Sequence, residues 1–112
     1  MAAAVVQGVT GATGTTGTTL AITVTAVTSG NSVIVLCEDQ VPSVLPDADS
    51  VTDNQSNVYT LDWTSSEIGT NGSRLKAFSA HNVTNAPTSV TVTYDATVDQ
   101  NQAACVLEAS GS

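Results

Sequence analysis

Apolar and polar positions alternate with a period of two along much of this chain, and runs of Ser, Thr, Asn, Gly and Pro interrupt the alternation. The clearest run is Leu20-Ala21-Ile22-Thr23-Val24-Thr25-Ala26-Val27. Leu20, Ile22 and Val24 point one way and Thr23 and Thr25 the other, as on a half-buried strand. Thr28-Ser29-Gly30-Asn31 reads as a turn. Ser32 to Glu38 (SVIVLCE) is apolar almost without a break, the pattern of a central strand covered on both faces. Gln40 to Ser50 carries Pro42 and Pro46, which remove ladder donors, so it is expected to be a loop or an irregular edge crossing.

The stretch from Val51 to Phe78 reads as a β-meander. A polar turn, Asp53 to Asn57, leads into a strand from Val58 to Trp63; a second turn, Gly69 to Ser73, leads into a strand from Arg74 to Ala80. Tyr59, Leu61 and Trp63 fall on one face, and three of the four aromatic residues lie in this stretch. The meander is therefore expected to be the packing centre, with Trp63 the most exposed of its row. Ser89 to Tyr94 forms a further strand, Asp95 to Asn101 an acidic loop, and Gln102 to Ala109 the last strand. These make about seven short strands joined by turns, so the expected fold is all-β, an antiparallel β-sandwich occupying residues 20–112 as one domain. Residues 1–19 are expected to be an extended N-terminal arm. Ala2, Ala3, Ala4, Val5 and Val6 form an apolar piece suited to docking on a partner. Gly8 to Thr19 (GVTGATGTTGTT) forms a low-complexity tether that lacks the large side chains needed to anchor itself.

Composition narrows the partners. Charged residues are 11% of the 112-residue chain, so the polar surface must be built from Ser, Thr, Asn and Gln. Ten acidic residues face only Arg74 and Lys76, for a net charge of −8. Such a surface repels phosphate backbones and anionic membranes, so neither nucleic acid nor a membrane is expected as a partner. Met1 to Val6 lacks a positive region and is too short in its apolar run for a secretory leader, which points to synthesis in a cytoplasm. Cys37 and Cys105 are an even pair that permits one disulfide. The alternative is two buried thiols, as a reducing compartment favours.

Little in the chain announces catalysis or metal binding. Two cysteines and the single His81 are too few for a zinc site. Asp47 to Asp53 begins like a calcium loop, but Thr52 and Val58 stand where that loop needs Gly and Glu. A looser site from Asp47, Asp49 and Asp53 competes with a plain solvated loop. His81 has no nucleophile and carboxylate in a recognisable frame. No enzyme activity, metal or cofactor is expected. Exposed, the row containing Tyr59 and Trp63 would make a sugar-stacking platform; buried, it is core.

Four stretches form a series: Thr28 to Val35 (TSGNSVIV), Ser50 to Leu61 (SVTDNQSNVYTL), Phe78 to Val83 (FSAHNV) and Ser89 to Tyr94 (SVTVTY). In type and spacing the series resembles immunoglobulin-like or jelly-roll β-sandwich modules of phage virion proteins and of bacterial surface or secreted proteins, over most of residues 20–109. Such modules often continue with further strands beyond the one matching Ala103 to Glu108. The resemblance thus implies a minimal sandwich, or one completed by a neighbour. The Cys-to-Trp spacing of an antibody domain is absent, since Trp63 lies too far beyond Cys37. Taken with synthesis in a cytoplasm and a Thr/Ser/Asn-rich surface of the kind external β-domains carry, the resemblance points to a phage structural protein, specifically a capsid decoration (cement) protein. It would bind the major capsid protein on the outer surface of the virion, after assembly in the host cytoplasm, as a homo-oligomer and in particular a trimer. The alternative is a carbohydrate-binding or adhesion module of a tail or secreted surface protein.

Overall fold

The computed structural model describes residues 3–12, 19–40, 48–65, 73–94 and 103–111. Among them are eight strands and no helix: β1 (Ala4–Ala12), β2 (Thr19–Thr23), β3 (Ser32–Gln40), β4 (Ala48–Asp53), β5 (Thr60–Thr64), β6 (Ser73–Ala80), β7 (Ser89–Tyr94) and β8 (Ala103–Ser110). A larger sheet has the order β1-β8-β3-β6-β5 and a smaller one the order β2-β7-β4, every pairing antiparallel. The protein is an all-β sandwich, with eight strands rather than seven.

The strand that the sequence pattern did not predict is β1. Its residues, read as part of an arm, run along β8 from Ala4 opposite Ser110 to Ala12 opposite Ala103. The glycines explain how so plain a segment packs. A Cβ at Gly11 would lie 2.9 Å from Cγ1 of Ile22, and one at Gly8 would lie 3.0 Å from Cδ2 of Leu107. Small residues let β1 pass close to its neighbours, while Val9 between them packs on the core. Residues 8–12 are thus anchored after all; the rest of the low-complexity run, 13–18, lies outside the described residues, as does the second meander turn apart from Ser73.

Between the sheets, alternation works as expected. Val33, Val35 and Cys37 of β3, Ala104 and Val106 of β8, Phe78 and Ala80 of β6, and Val90, Val92 and Tyr94 of β7 are all buried. Each fully buried Val contributes on the order of 1.5–3 kcal/mol. The strand expected over residues 20–27 stops at Thr23. Val24 and Val27 stay buried without strand geometry, their amides donating to the carbonyls of Thr88 (2.9 Å) and Pro87 (3.0 Å). Ala48 to Ser50, expected in the proline-containing loop, instead begin β4 and pair with β7.

The meander is not the packing centre. A register shift between Leu61 and Trp63 places Leu61 opposite core-facing Phe78 but Trp63 opposite outward-facing Ala77, so the two no longer share a face. All of β5 is exposed. The cause is position: β5 is the outermost of five strands laid over a sheet of three. The centre of the core is β3 with β7 and β8.

One end of the sandwich is closed by side chains that stand in for backbone. The Gln7 amide donates from Nε2 to the Thr25 carbonyl (2.7 Å) and accepts at Oε1 from the Thr25 N–H (3.1 Å). Asn57 accepts from the Thr84 N–H (2.9 Å) and donates to the Thr84 carbonyl (3.2 Å). Asn54 accepts from the Thr88 N–H (3.0 Å) and donates to the Thr88 hydroxyl (2.9 Å). The Asp53 turn closes on itself as its composition predicts. Asp53 Oδ1 accepts from the Gln55 and Asn57 amides at 2.8 and 3.2 Å, with Ser56 at a φ of 62° between them.

Among the described residues Glu108 is the largest fully buried side chain, only 2% exposed. It receives Gln7 Nε2 (2.7 Å), Asn31 Nδ2 (2.6 Å) and the Thr28 N–H (3.0 Å). Burial pushes its carboxyl up, but these donors pull it down and win, leaving it below the ordinary glutamate value. A depressed folded-state value means that the stabilisation is complete above the unfolded value and is lost as pH falls through the folded one. Glu108→Gln is expected to cost about 1–3 kcal/mol at neutral pH. The gap to wild type, read from urea midpoints, should close as pH drops below about 4. A gap unchanged in acid would show that the charge is not what matters.

Candidate functional site

The outer face of the larger sheet is built by the residues that alternate with the core. Register places Trp63, Ala77, Leu36, Cys105 and Thr10 in one row across all five strands. A second row runs Ser79, Ile34, Leu107 and Gly8, and Leu75 stands opposite Glu38 beside the first. Trp63 is 54% exposed, Leu75 42% and Leu36 38%. This corrects the reading of SVIVLCE as a doubly covered strand. The smaller sheet covers Val33, Val35 and Cys37, whereas Leu36 on the opposite face is open. Strand β3 is apolar on both faces from Val33 to Cys37, Leu75 and Ala77 of β6 and Cys105 and Leu107 of β8 continue its outer face, and the smaller sheet covers only the inner one.

A cleft of about 290 Å³ lies on this face, between Leu36, Leu75, Ala103 and Cys105, with Thr10 and Glu38 as its polar side chains. Its position explains the state of the cysteines. Cys37 faces the core opposite Ala104 and Lys76, its thiol donating to the Lys76 carbonyl at 3.7 Å. Cys105 faces outward opposite Leu36 and is half-buried. The two occupy opposite faces of one sheet and are not joined; strand alternation forbids the disulfide that the even count permitted.

Of the apolar N-terminal piece, Ala2 lies outside the described residues. Ala3, Ala4, Val5 and Val6 are exposed, with Val6 at a register shift on the outer edge of β1. Of the acidic loop, Asp47 lies outside the described residues and Asp49 is exposed. Asp53 spends both oxygens on its own turn: besides the two amides, Oδ2 accepts from Asn57 Nδ2 and from the Tyr59 hydroxyl, each at 3.0 Å. Among the described residues no group of three or more His, Cys, Asp or Glu is placed to hold a metal ion. Burial first, and then the charge and hydrogen bond of Asp53, push the Tyr59 phenol well above the usual tyrosine range. Tyr59 therefore belongs to the turn and does not form a platform with Trp63.

His81 joins a hydrogen-bonded chain. Ser79 Oγ donates to Asp62 Oδ2 (2.5 Å), so His81 Nε2 must donate to Ser79 Oγ (3.2 Å), and His81 Nδ1 shares a hydrogen bond with Ser32 Oγ (3.0 Å). The carboxylate contacts a serine and not the imidazole, and Ser32 and Ser79 are both buried. Triad chemistry needs a carboxylate on the ring and a reachable nucleophile, and this chain of contacts offers neither. It fastens β3, β5 and β6 to one another.

Sequence reasoning missed the outer face and the Glu108 centre, though each had a signal. For the face it was the unbroken apolar run on β3. For Glu108 it was a lone carboxylate in the apolar stretch AACVLEA. Comparison of the chain with known protein families, curated proteins and solved structures finds no match in any of the three.

The geometry fixes two solution properties. The native protein is expected to present one thiol, Cys105, to a maleimide, and two after unfolding in urea. Loss of the native signal in Cys105→Ser but not in Cys37→Ser checks the assignment. Trp63 fluorescence should be red-shifted and readily quenched by acrylamide; a blue-shifted, protected indole would place β5 elsewhere.

Proposed function

We propose that this protein is a phage virion structural protein, specifically a capsid decoration protein that docks on the major capsid protein at the outer surface of the shell. The observation that carries the proposal is the row of exposed apolar residues on the outer face of the larger sheet, Leu36, Leu75 and Trp63, centred on a strand, β3, whose pattern is that of a doubly covered one. Val5 and Val6 extend that apolar surface to the outer edge of β1. The action is mechanical: bridging adjacent shell subunits adds an interface present only in the assembled state, which stabilises that state by mass action. The resemblance described above supplies the virion context, with assembly in the host cytoplasm. The sheet edges at β1, β2, β4 and β5 suit oligomerisation of the protein with itself, as a trimer.

Purified protein mixed with expanded capsid shells is expected to co-sediment at a fixed copy number per shell. Leu36→Asp should abolish binding and Val5→Asp with Val6→Asp should weaken it, both without loss of stability. Deleting residues 1–19 is a poorer test, because it removes β1 and the Gln7 contacts to Glu108. Absence of binding to any expanded shell overturns the proposal.

A second reading, a carbohydrate-binding or adhesion module of a tail or secreted surface protein, is supported by one observation: the exposed indole of Trp63 beside the carboxylate of Asp62. It expects quenching or enhancement of the single Trp over a glycan panel, and an unchanged emission would remove it.

A further inference from the structure

We propose that the cleft beside Cys105 receives a lysine or arginine side chain of the docking partner, carried on an otherwise apolar segment, with Glu38 as its counter-charge. This rests on the docking reading above and names the chemistry of the surface that would be met. Leu36, Leu75 and Ala103 give the cleft apolar walls, and Glu38 gives it a half-buried carboxylate. Register sets Glu38 directly opposite Leu75, and no described side chain pairs with its carboxylate. A carboxylate in such surroundings favours a group bringing a cation and an apolar stem together, which Lys and Arg both do. A volume of about 290 Å³ suits one side chain and sits at the lower limit of pockets that enclose whole ligands.

Charge decides against a second copy of this chain as the occupant. The sequence has ten acidic and two basic residues, and Lys76 is directed to the other side of the sheet, donating to the Ala48 carbonyl at 2.8 Å. Face-to-face pairing of two copies would bring Glu38 towards a surface of like sign. The occupant is therefore a different protein, basic at the point of contact.

Cys105 serves as the reporter. A methanethiosulfonate reagent exchanges with a thiolate: the sulfur–sulfur bond of the reagent breaks, sulfinate leaves, and a mixed disulfide forms without an added oxidant. Rates are compared for the ethylammonium and ethylsulfonate reagents, each normalised to its rate with a small free thiol. Cys105 is expected to prefer the ammonium reagent by roughly five- to tenfold. Glu38→Gln, which conserves shape at a half-exposed site, should remove most of that preference. A ratio unchanged in Glu38→Gln overturns the proposal.

The same variant is then tested on shells. If wild type binds and Glu38→Gln binds several-fold more weakly, with wild-type binding falling as salt is raised, the proposal stands. If both bind equally, the cation inference fails while docking survives. If wild type does not bind, docking is what fails, and the labelling ratio alone decides whether the cleft selects cations. Sedimentation that shows a dimer broken by Leu36→Asp would assign the face to a second copy and overturn the proposal.

Discussion

A carboxylate sealed from water must be given donors, and at the closed end of this sandwich two separate chain segments converge to supply three of them. Glu108 lies on the core face of β8, opposite Val33 on one side and Gln7 on the other. Without partners its burial would cost several kcal/mol, or force it to take up a proton. With Gln7, Asn31 and Thr28 donating, it stays ionised and holds together β1 and the crossover at 24–31. That coupling is why β1 belongs to the sandwich: Gln7 bonds both the carboxylate and the Thr25 backbone, so the N-terminal strand and the crossover share one fastening.

The same device recurs with neutral groups. Crossovers that leave the sheet ladders must find partners for their amides and carbonyls. Here Gln7, Asn54 and Asn57 offer a donor and an acceptor from one amide, which is the pairing that a neighbouring strand would offer. This accounts for a composition that is poor in charge and rich in Asn, Gln and Thr. These residues hold turns, and a Lys or Glu in their places would offer only one half of each pair.

Alternation made the core strands legible, because a half-buried strand has to alternate: β2, β7 and the inner residues of β3 stand where period two placed them. The Asp53 turn was legible for a local reason, since its partners lie within six residues. What could not be read depended on contacts distant in sequence. β1 is strand-like because Gly8 and Gly11 fit under Leu107 and Ile22, and nothing within the Gly/Thr run reveals those neighbours. Tyr59, Leu61 and Trp63 alternate like a core row, yet a register shift and an outermost position expose the last two. Periodicity reports which residues share a face of an isolated strand; it is silent on whether anything lies over that face.

That silence bears most on β3. Its run Val33-Ile34-Val35-Leu36-Cys37 carries two apolar faces, and a sheet of three strands cannot cover both sides of a sheet of five. The fold itself needs only the inner face, so the apolar character of Leu36, Leu75 and Trp63 adds nothing to the packing between the sheets. On a surface built otherwise from Thr, Ser and Asn, an apolar row confers a liability to self-association. The strong negative charge and the carboxylate of Glu38 beside the row oppose that outcome by repulsion between like copies. On the docking proposed above, an apolar face guarded by acid would be selective: it would disfavour its own kind and leave burial as the gain for a partner that brings the opposite charge.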